Sequence, residues 1–307
     1  LGQRLARALA AAGQLVDSAG RSNPIESICI ADIAPVTLAP SDGPGIEGRQ
    51  GDLSDTGFVS ALAEENFDSI FHLASFLTLQ AEQDPVRAFA VNVDSLRRLV
   101  ETASNRPKVV FTSSIAIFGG TLPDEVGDDL NPVPTTTYGI HKAMNELLIA
   151  DHSRHGRIDG RSLRLPIVLI RPGAPQPAVS DRVAAIAREP MNGVDVTSPL
   201  PGDLPVPVVS VGRVVESLLR LHDVPAERLP PKRAFNLPAL TVTGEEMQAA
   251  VRRMGGSGRI SFDPDPAVSD IVAGWPRHFV SAIAPGLGIA PDESFDAIIA
   301  DYLAHKD

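Results

Sequence analysis

The chain has 307 residues, 43% of them hydrophobic and 21% charged, enough for one large domain or two unequal ones. Its formal charge of −11 and isoelectric point near 5.1 argue against nucleic acid and anionic membranes as partners. The single cysteine, Cys29, excludes an internal disulfide and fits a reducing cytoplasm, and neither an apolar run long enough to span a membrane nor a signal peptide is evident.

Helical periodicity begins at once: Leu1, Leu5 and Leu9 recur every four residues, with Arg4 and Arg7 between them. Residues 1–12 are therefore expected to be a helix, and the sequence is expected to continue upstream of Leu1. Ile28-Cys29-Ile30-Ala31-Asp32 is a short apolar strand ending in an acid. Residues 39–48 are rich in Pro and Gly and predict a loop. A helix is expected over 55–65, opened by an acid and a threonine. The strand 68–73 follows, then a long helix over 85–104 with proline in its first turn. Further along come a strand over 107–113, a helix over 138–155 and a strand over 161–170. Apolar strands alternating with amphipathic helices predict an α/β fold, a doubly wound parallel sheet.

After Pro172 the texture changes. Prolines crowd 172–177 and 199–207, and shorter helices are expected over 180–188, 211–222 and 244–254. A short strand is expected over 234–237. This reads as a smaller, loop-rich lobe, with Trp275-Pro276 as a packing anchor.

Chemistry concentrates at the carboxyl ends of the strands, where doubly wound sheets bind ligands. Tyr138 and Lys142 form a Tyr-x-x-x-Lys pair in a chain with only two tyrosines and four lysines. Four residues apart on a helix, they share one face. The ammonium favours the phenolate, which can serve as a general base. Ser113 and Ser114 end the strand upstream, and Ser114 can hold a substrate oxygen. Together these groups point to oxidation or reduction of a carbon–oxygen bond.

Asp32 can accept hydrogen bonds from both ribose hydroxyls of an adenosine; with no arginine following immediately, NAD is favoured over NADP. Asp52, within Gly51-Asp52-Leu53, can meet an adenine amino group or cap the next helix. His72-Leu73-Ala74-Ser75 offers small residues for close approach of a dinucleotide, while His72 itself reads as a packed core histidine. Asn92 lies in an apolar helix face and needs a partner, such as backbone or water near Lys142. Asp151, His152 and His155 read as a solvated helix end rather than a metal site.

On these residues the chain resembles the extended short-chain dehydrogenase/reductase superfamily, which includes NAD-dependent epimerases and dehydratases. The resemblance implies a Rossmann-type NAD-binding domain over 1–170, rejoined by 205–235, and a substrate-binding lobe over 171–204 and 236–307. It implies a Gly-x-x-Gly-x-x-Gly turn of which only Gly2 is present, the first strand and earlier glycines lying upstream. The cofactor-binding set it implies is Gly2, Asp32, Asp52, Leu53, Leu73, Ala74, Ser75, Asn92, Tyr138, Lys142 and Pro166.

A narrower resemblance rests on Phe71-His72-Leu73-Ala74, Phe111-Thr112-Ser113-Ser114, Phe118-Gly119-Gly120, Leu163-Arg164-Leu165-Pro166, Arg171-Pro172-Gly173 and Ile271-Val272-Ala273-Gly274-Trp275-Pro276. It is similar to the D-erythronate dehydrogenase family, which oxidises a four-carbon sugar acid at C2 with NAD. The resemblance implies Tyr138 as base, Lys142 as its partner, Ser114 as donor to the substrate oxygen and Ser75 near the substrate. Arg188 is the expected carboxylate partner, since arginine suits bidentate recognition. Two departures stand out. Ser75-Phe76-Leu77-Thr78-Leu79 is bulkier than the family's small segment, and Ala174-Pro175-Gln176-Pro177-Ala178 lacks its Lys-Pro-Asn-Lys run. A nucleotide-sugar epimerase or dehydratase and a non-catalytic NAD sensor are the competing functions. The superfamily also implies a homodimer through helices 85–104 and 138–155, for which Leu96, Leu99, Met144 and Leu148 are the candidate apolar positions, core packing being their alternative.

Overall fold

The structure, a computed structural model, describes residues 1–36, 44–171, 173 and 179–306. The chain divides into two compact units. The first comprises Leu1–Ser113, Thr136–Leu163 and Ser217–Phe235; the second comprises Ser114–Thr135, Arg164–Glu216 and Asn236–Asp307.

In the first unit, helix Gly2–Ala12 buries Leu5, Ala6, Leu9 and Ala10, one face of a 3.6-residue period. It stops at Gly13, whose φ of 65° lets its N–H bond back to the Leu9 carbonyl. Strands Ser27–Asp32 and Gly45–Gln50 pair in parallel, from Ser27 opposite Gly45 to Asp32 opposite Gln50. The Pro/Gly-rich expectation of a loop over 39–48 thus fails at its described end: a neighbouring strand supplies the backbone partners that composition does not reveal. The rest of that stretch up to residue 43 lies outside the described residues, as does the whole of the departure at 174–178. Helix Thr56–Glu64 is capped by Asp55, which accepts the Gly57 N–H at 2.8 Å.

A second sheet runs in the order Ala234–Asn236, Asp159–Leu165, Lys108–Ser114 and Ser69–His72. Its last two strands are parallel, with His72 opposite Phe111. Leu96, Val100, Val109, Phe111, Ile149 and Ile158 form the core beside it. The helix expected over 85–104 is there, but not uniform. It is α-helical over Pro85–Phe89, a π-helical turn over Ala90–Asp94, and α-helical again over Ser95–Thr102. Helix Thr137–Arg154 starts at Thr136, whose hydroxyl accepts the Gly139 N–H at 3.1 Å.

The second unit holds a three-stranded sheet in the order Leu240–Val242, Val206–Ser210 and Ile167–Leu169, antiparallel and then parallel. The single strand expected over 161–170 is therefore two strands separated at Pro166, which has no N–H to give to a ladder. Helices Val179–Met191, Gly244–Arg253 and Phe295–Leu303 bury a continuous apolar cluster with this sheet, and Trp275 packs against it. The result is the doubly wound α/β, Rossmann-type architecture with its accompanying smaller sheets. Among the described residues, no helix is long and apolar enough to cross a membrane.

Candidate active site

Tyr138 opens helix Thr137–Arg154, and Lys142 follows one turn on. The Lys142 ammonium lies 5.5 Å from the centroid of the Tyr138 ring and 4.6 Å from that of Phe111. It is 2% exposed and donates to the Thr112 carbonyl at 2.7 Å. That bond ties the helix to the strand Lys108–Ser114, whose apolar run Val109-Val110-Phe111 fixes it in the core. Thr112 in turn donates its hydroxyl to the His72 carbonyl at 3.2 Å. Burial draws Lys142 down to about 7, and the charge of Glu146 opposes that fall. An ammonium poised near neutrality beside a phenol is the electrostatic arrangement expected of a working base.

The two strand-end serines separate in role. Ser113 is buried and donates to Glu146 Oε1 at 2.5 Å. Ser114 is half-buried, and its hydroxyl accepts the Ala116 N–H at 3.1 Å to cap the short turn Ile115–Ile117. An accepting hydroxyl can still donate, so this cap does not use up the Ser114 proton.

Several of the residues expected to hold a dinucleotide lie in the first unit. Helix Gly2–Ala12 has Gly2 as its first residue, and the backbone N–H groups of a helix start are the kind that receive a phosphate. A Cβ on Gly2 would meet only the Leu73 side chain, at 4.0 Å, so the protein's own packing does not demand glycine there. Asp32 ends its strand exposed, with Oδ1 accepting the Ala34 N–H at 2.9 Å. Leu73, Ala74 and Ser75 follow the end of strand Ser69–His72. A glycine at a helix start, an acid at a strand end and the small Ala74 and Ser75 beyond another strand end are features that a dinucleotide site can use.

Asn92 is buried within the π turn, a feature that recurs at functional sites. Its amide holds backbone. Phe76 N–H donates to Oδ1 at 2.7 Å, and Nδ2 donates to the Phe76 carbonyl at 3.1 Å. The Ser75 hydroxyl also reaches Oδ1, at 3.1 Å, and Asn145 Nδ2 donates to the Asn92 carbonyl at 2.6 Å.

Four of the predicted residues have contacts of their own within the protein. Asp52 is not the cap of helix Thr56–Glu64, a role taken by Asp55; it accepts the Ser54 N–H at 2.8 Å and Arg87 Nη2 at 2.7 Å, which hold its carboxyl below the usual range. Leu53 packs against the small apolar cluster of Val59, Leu62 and Leu99. Pro166 is buried at the break between two strands. Arg188 is the clearest correction: it is 2% exposed and gives two hydrogen bonds to Asp181, at 2.8 and 3.0 Å, and one to Glu189 at 2.9 Å. Its charge-assisted donors are engaged inside the second unit, which argues against the expected role as substrate carboxylate partner. Asp181 lies seven residues earlier on the same helix face, a spacing the sequence displays.

Three participants escaped sequence reading: Glu146, Thr112 and the Phe111 ring. Glu146, four residues after Lys142, carried a visible signal. At the far end of the helix, Asp151 pairs with Arg154 at 2.6 Å, and His152 is buried. Among the described residues, no three His, Cys, Asp or Glu side chains gather to hold a metal.

Known proteins resemble this chain in sequence and in fold. The NAD dependent epimerase/dehydratase family model matches residues 1–237, and the chain belongs to that family. It is 37% identical to D-erythronate dehydrogenase of Cupriavidus necator, over 99% of this chain and 94% of the relative. It is 34% identical to the D-erythronate dehydrogenase of Haemophilus influenzae, over 99% and 96%. Among solved structures it resembles the nucleoside-diphosphate-sugar epimerase from Agrobacterium tumefaciens, with a TM-score of 0.92, 31% identity and coverage of 99% and 91%. It also resembles the GalE-like L-threonine dehydrogenase from Cupriavidus necator in its holo form, with a TM-score of 0.81, 25% identity and coverage of 91% of both chains.

Proposed function

We propose that this chain is an NAD-dependent dehydrogenase that oxidises the C2 hydroxyl of a small, D-erythronate-like sugar acid. One observation carries the reading: a buried Lys142 ammonium, anchored on the Thr112 carbonyl, sits 5.5 Å from the Tyr138 ring. The names of the two D-erythronate dehydrogenase relatives, each matched over nearly its whole length, supply the substrate class.

NAD, when bound, takes up the hydride. Tyr138 removes the hydroxyl proton as a phenolate, and Lys142 stabilises that charge by proximity. Ser114 donates to the substrate oxygen. Gly2 at the start of helix Gly2–Ala12 would hold phosphate, Asp32 would hold the adenosine ribose, and Leu73, Ala74 and Ser75 would line the path of the dinucleotide. Asn92 fixes the segment that follows by gripping Phe76. This reading assigns the cofactor to a domain over 1–170 and 205–235, and the substrate to a lobe over 171–204 and 236–307. The same reading includes a cytoplasmic location and a homodimer through the helices around Val86 and Leu147. Leu96 and Leu99 are core residues and Leu148 packs against the core, so the dimer face falls instead on the exposed Val86, Phe89, Ile140, Met144 and Leu147.

NADH formation over a panel of small aldonates tests the activity. Turnover of D-erythronate or a close relative is expected, and Tyr138→Phe should lower kcat by about 10²- to 10⁴-fold while the protein stays folded. The likeness to a nucleoside-diphosphate-sugar epimerase supports a second reading. Turnover of a nucleotide sugar, with no turnover of any aldonate, would establish that alternative.

A further inference from the structure

Tyr138, Lys142 and Glu146 recur every four residues along helix Thr137–Arg154 and so lie on one face of it. The order is phenol, ammonium, carboxylate. Lys142 is held at one end by the Thr112 carbonyl. Glu146 is 6% exposed, and the hydroxyl of Ser113, the very next residue of that strand, donates to it at 2.5 Å. Strand and helix are therefore joined twice, once through each charged side chain, on successive helical turns.

Other charged or titratable groups face this row without doing the same work. His72, on strand Ser69–His72, is buried near Lys142 and its neutral form is favoured, so it offers no counter-charge. Glu82 reaches the start of the helix, accepting the Thr137 N–H at 2.7 Å and acting on His141. The π turn contributes the neutral Asn92, against His141. Strand Lys108–Ser114 presents Phe111, Thr112 and Ser113, all uncharged. Glu146 is the carboxylate that acts on Lys142.

We infer that Glu146 is a positioning residue: its carboxylate, aimed by Ser113, keeps the buried Lys142 protonated so that Lys142 can support the Tyr138 phenolate. The inference rests on the dehydrogenase reading for its catalytic meaning, but the charge state of Lys142 can be read without any substrate. Burial alone disfavours an ammonium, and an adjacent carboxylate restores it. Ser113 then has a task distinct from that of Ser114, one behind the reacting groups rather than among them.

Lysine labelled with 13C at Cε provides the readout, since the chain has four lysines and Lys142→Ala identifies the resonance of interest. Glu146→Gln should move the Lys142 midpoint down by about one pH unit or more. Glu146→Asp keeps the charge and should move it less. Ser113→Ala releases the carboxylate from its aim and should move it in the same direction by a smaller amount. In steady-state kinetics, the deficit of Glu146→Gln in kcat should shrink as pH is lowered and widen as pH is raised, because acid returns the proton to Lys142. An unmoved midpoint in folded Glu146→Gln overturns the inference. Should that variant fail to fold, unmoved midpoints in both Ser113→Ala and Glu146→Asp overturn it, and a fall in Ser113→Ala supports it. A midpoint that moves in a protein turning over no aldonate leaves the inference standing and removes the dehydrogenase reading instead.

Discussion

Asn92 grips both faces of one peptide position, taking the Phe76 N–H at 2.7 Å and giving a hydrogen bond to the Phe76 carbonyl at 3.1 Å. A single buried amide thereby sets the segment that follows Leu73-Ala74-Ser75. Asn92→Ala removes both bonds and leaves Phe76 with two unmet backbone groups. The expected cost is about 1–3 kcal/mol in unfolding free energy. If the segment lines the dinucleotide, the KM for NAD should rise by more than the KM for substrate. Urea unfolding and cofactor titration check the two parts. An unchanged unfolding midpoint would mean that water replaces the amide without loss.

The strand and helix alternation was legible because Val109-Val110-Phe111 and similar runs have no exposed face to vary. Tyr138 and Lys142 were legible for a related reason: a four-residue spacing on a helix is itself geometry. The π turn at Ala90–Asp94 was not, since five residues carry too little periodicity to betray a change of hydrogen-bond register. Nor was the bond between Ser113 and Glu146, which joins residues 33 apart in sequence. The strand Gly45–Gln50 was hidden because its partner, not its composition, makes it a strand.

Arg188 and Asp181 form an almost fully enclosed pair in the second unit, each side chain 3% exposed. Removing Asp181 leaves the buried Arg188 with Glu189 as its remaining carboxylate partner and costs it a two-point ion pair. Asp181→Ala is expected to destabilise the protein by about 3–5 kcal/mol. Arg188→Lys keeps the charge but loses the planar fork, and should also destabilise, though less. Thermal unfolding measures both. A large rise in substrate KM for Arg188→Lys without loss of stability would return Arg188 to the substrate-binding role that its contacts argue against.

His72 gives the acid limb of stability a specific origin. Burial, and then the charge of Lys142, push its imidazole down to about 3. In the unfolded chain the same group takes its proton near pH 6.5. Below that point the unfolded state binds a proton that the folded state refuses. The stability present above pH 6.5 is therefore lost as pH falls toward about 3, at up to about 1.4 kcal/mol per pH unit. His141, His152 and His222 are lowered by burial too and share the limb. Among the described residues, His72 Nδ1 has no hydrogen-bond partner and Nε2 makes a 3.4 Å contact with Ser95. His72→Phe should thus be tolerated at pH 7 and should flatten the decline between pH 6.5 and 4. Denaturant midpoints measured across that range would count against this account if wild type and variant fell in parallel.

Leu147 is 73% exposed and Val86 81%, values unusual for large aliphatic side chains on ordered helices. Ile140, Met144 and Leu147 follow a three- and four-residue spacing, so they form one stripe along helix Thr137–Arg154. Phe89 is also exposed, and helix Pro85–Phe89 packs against that same helix within the first unit. A contiguous apolar patch of this kind marks an interaction surface, and a second copy of the chain presents a matching stripe by two-fold symmetry. Leu147→Glu places like charges face to face at such an interface and should convert a dimer to a monomer in sedimentation velocity. Folding should be little affected, because Leu147 contributes almost nothing to the core of its own protomer. A wild-type chain that sediments as a monomer at high concentration would assign the stripe to some other partner, and Leu147→Glu would then change solubility rather than mass.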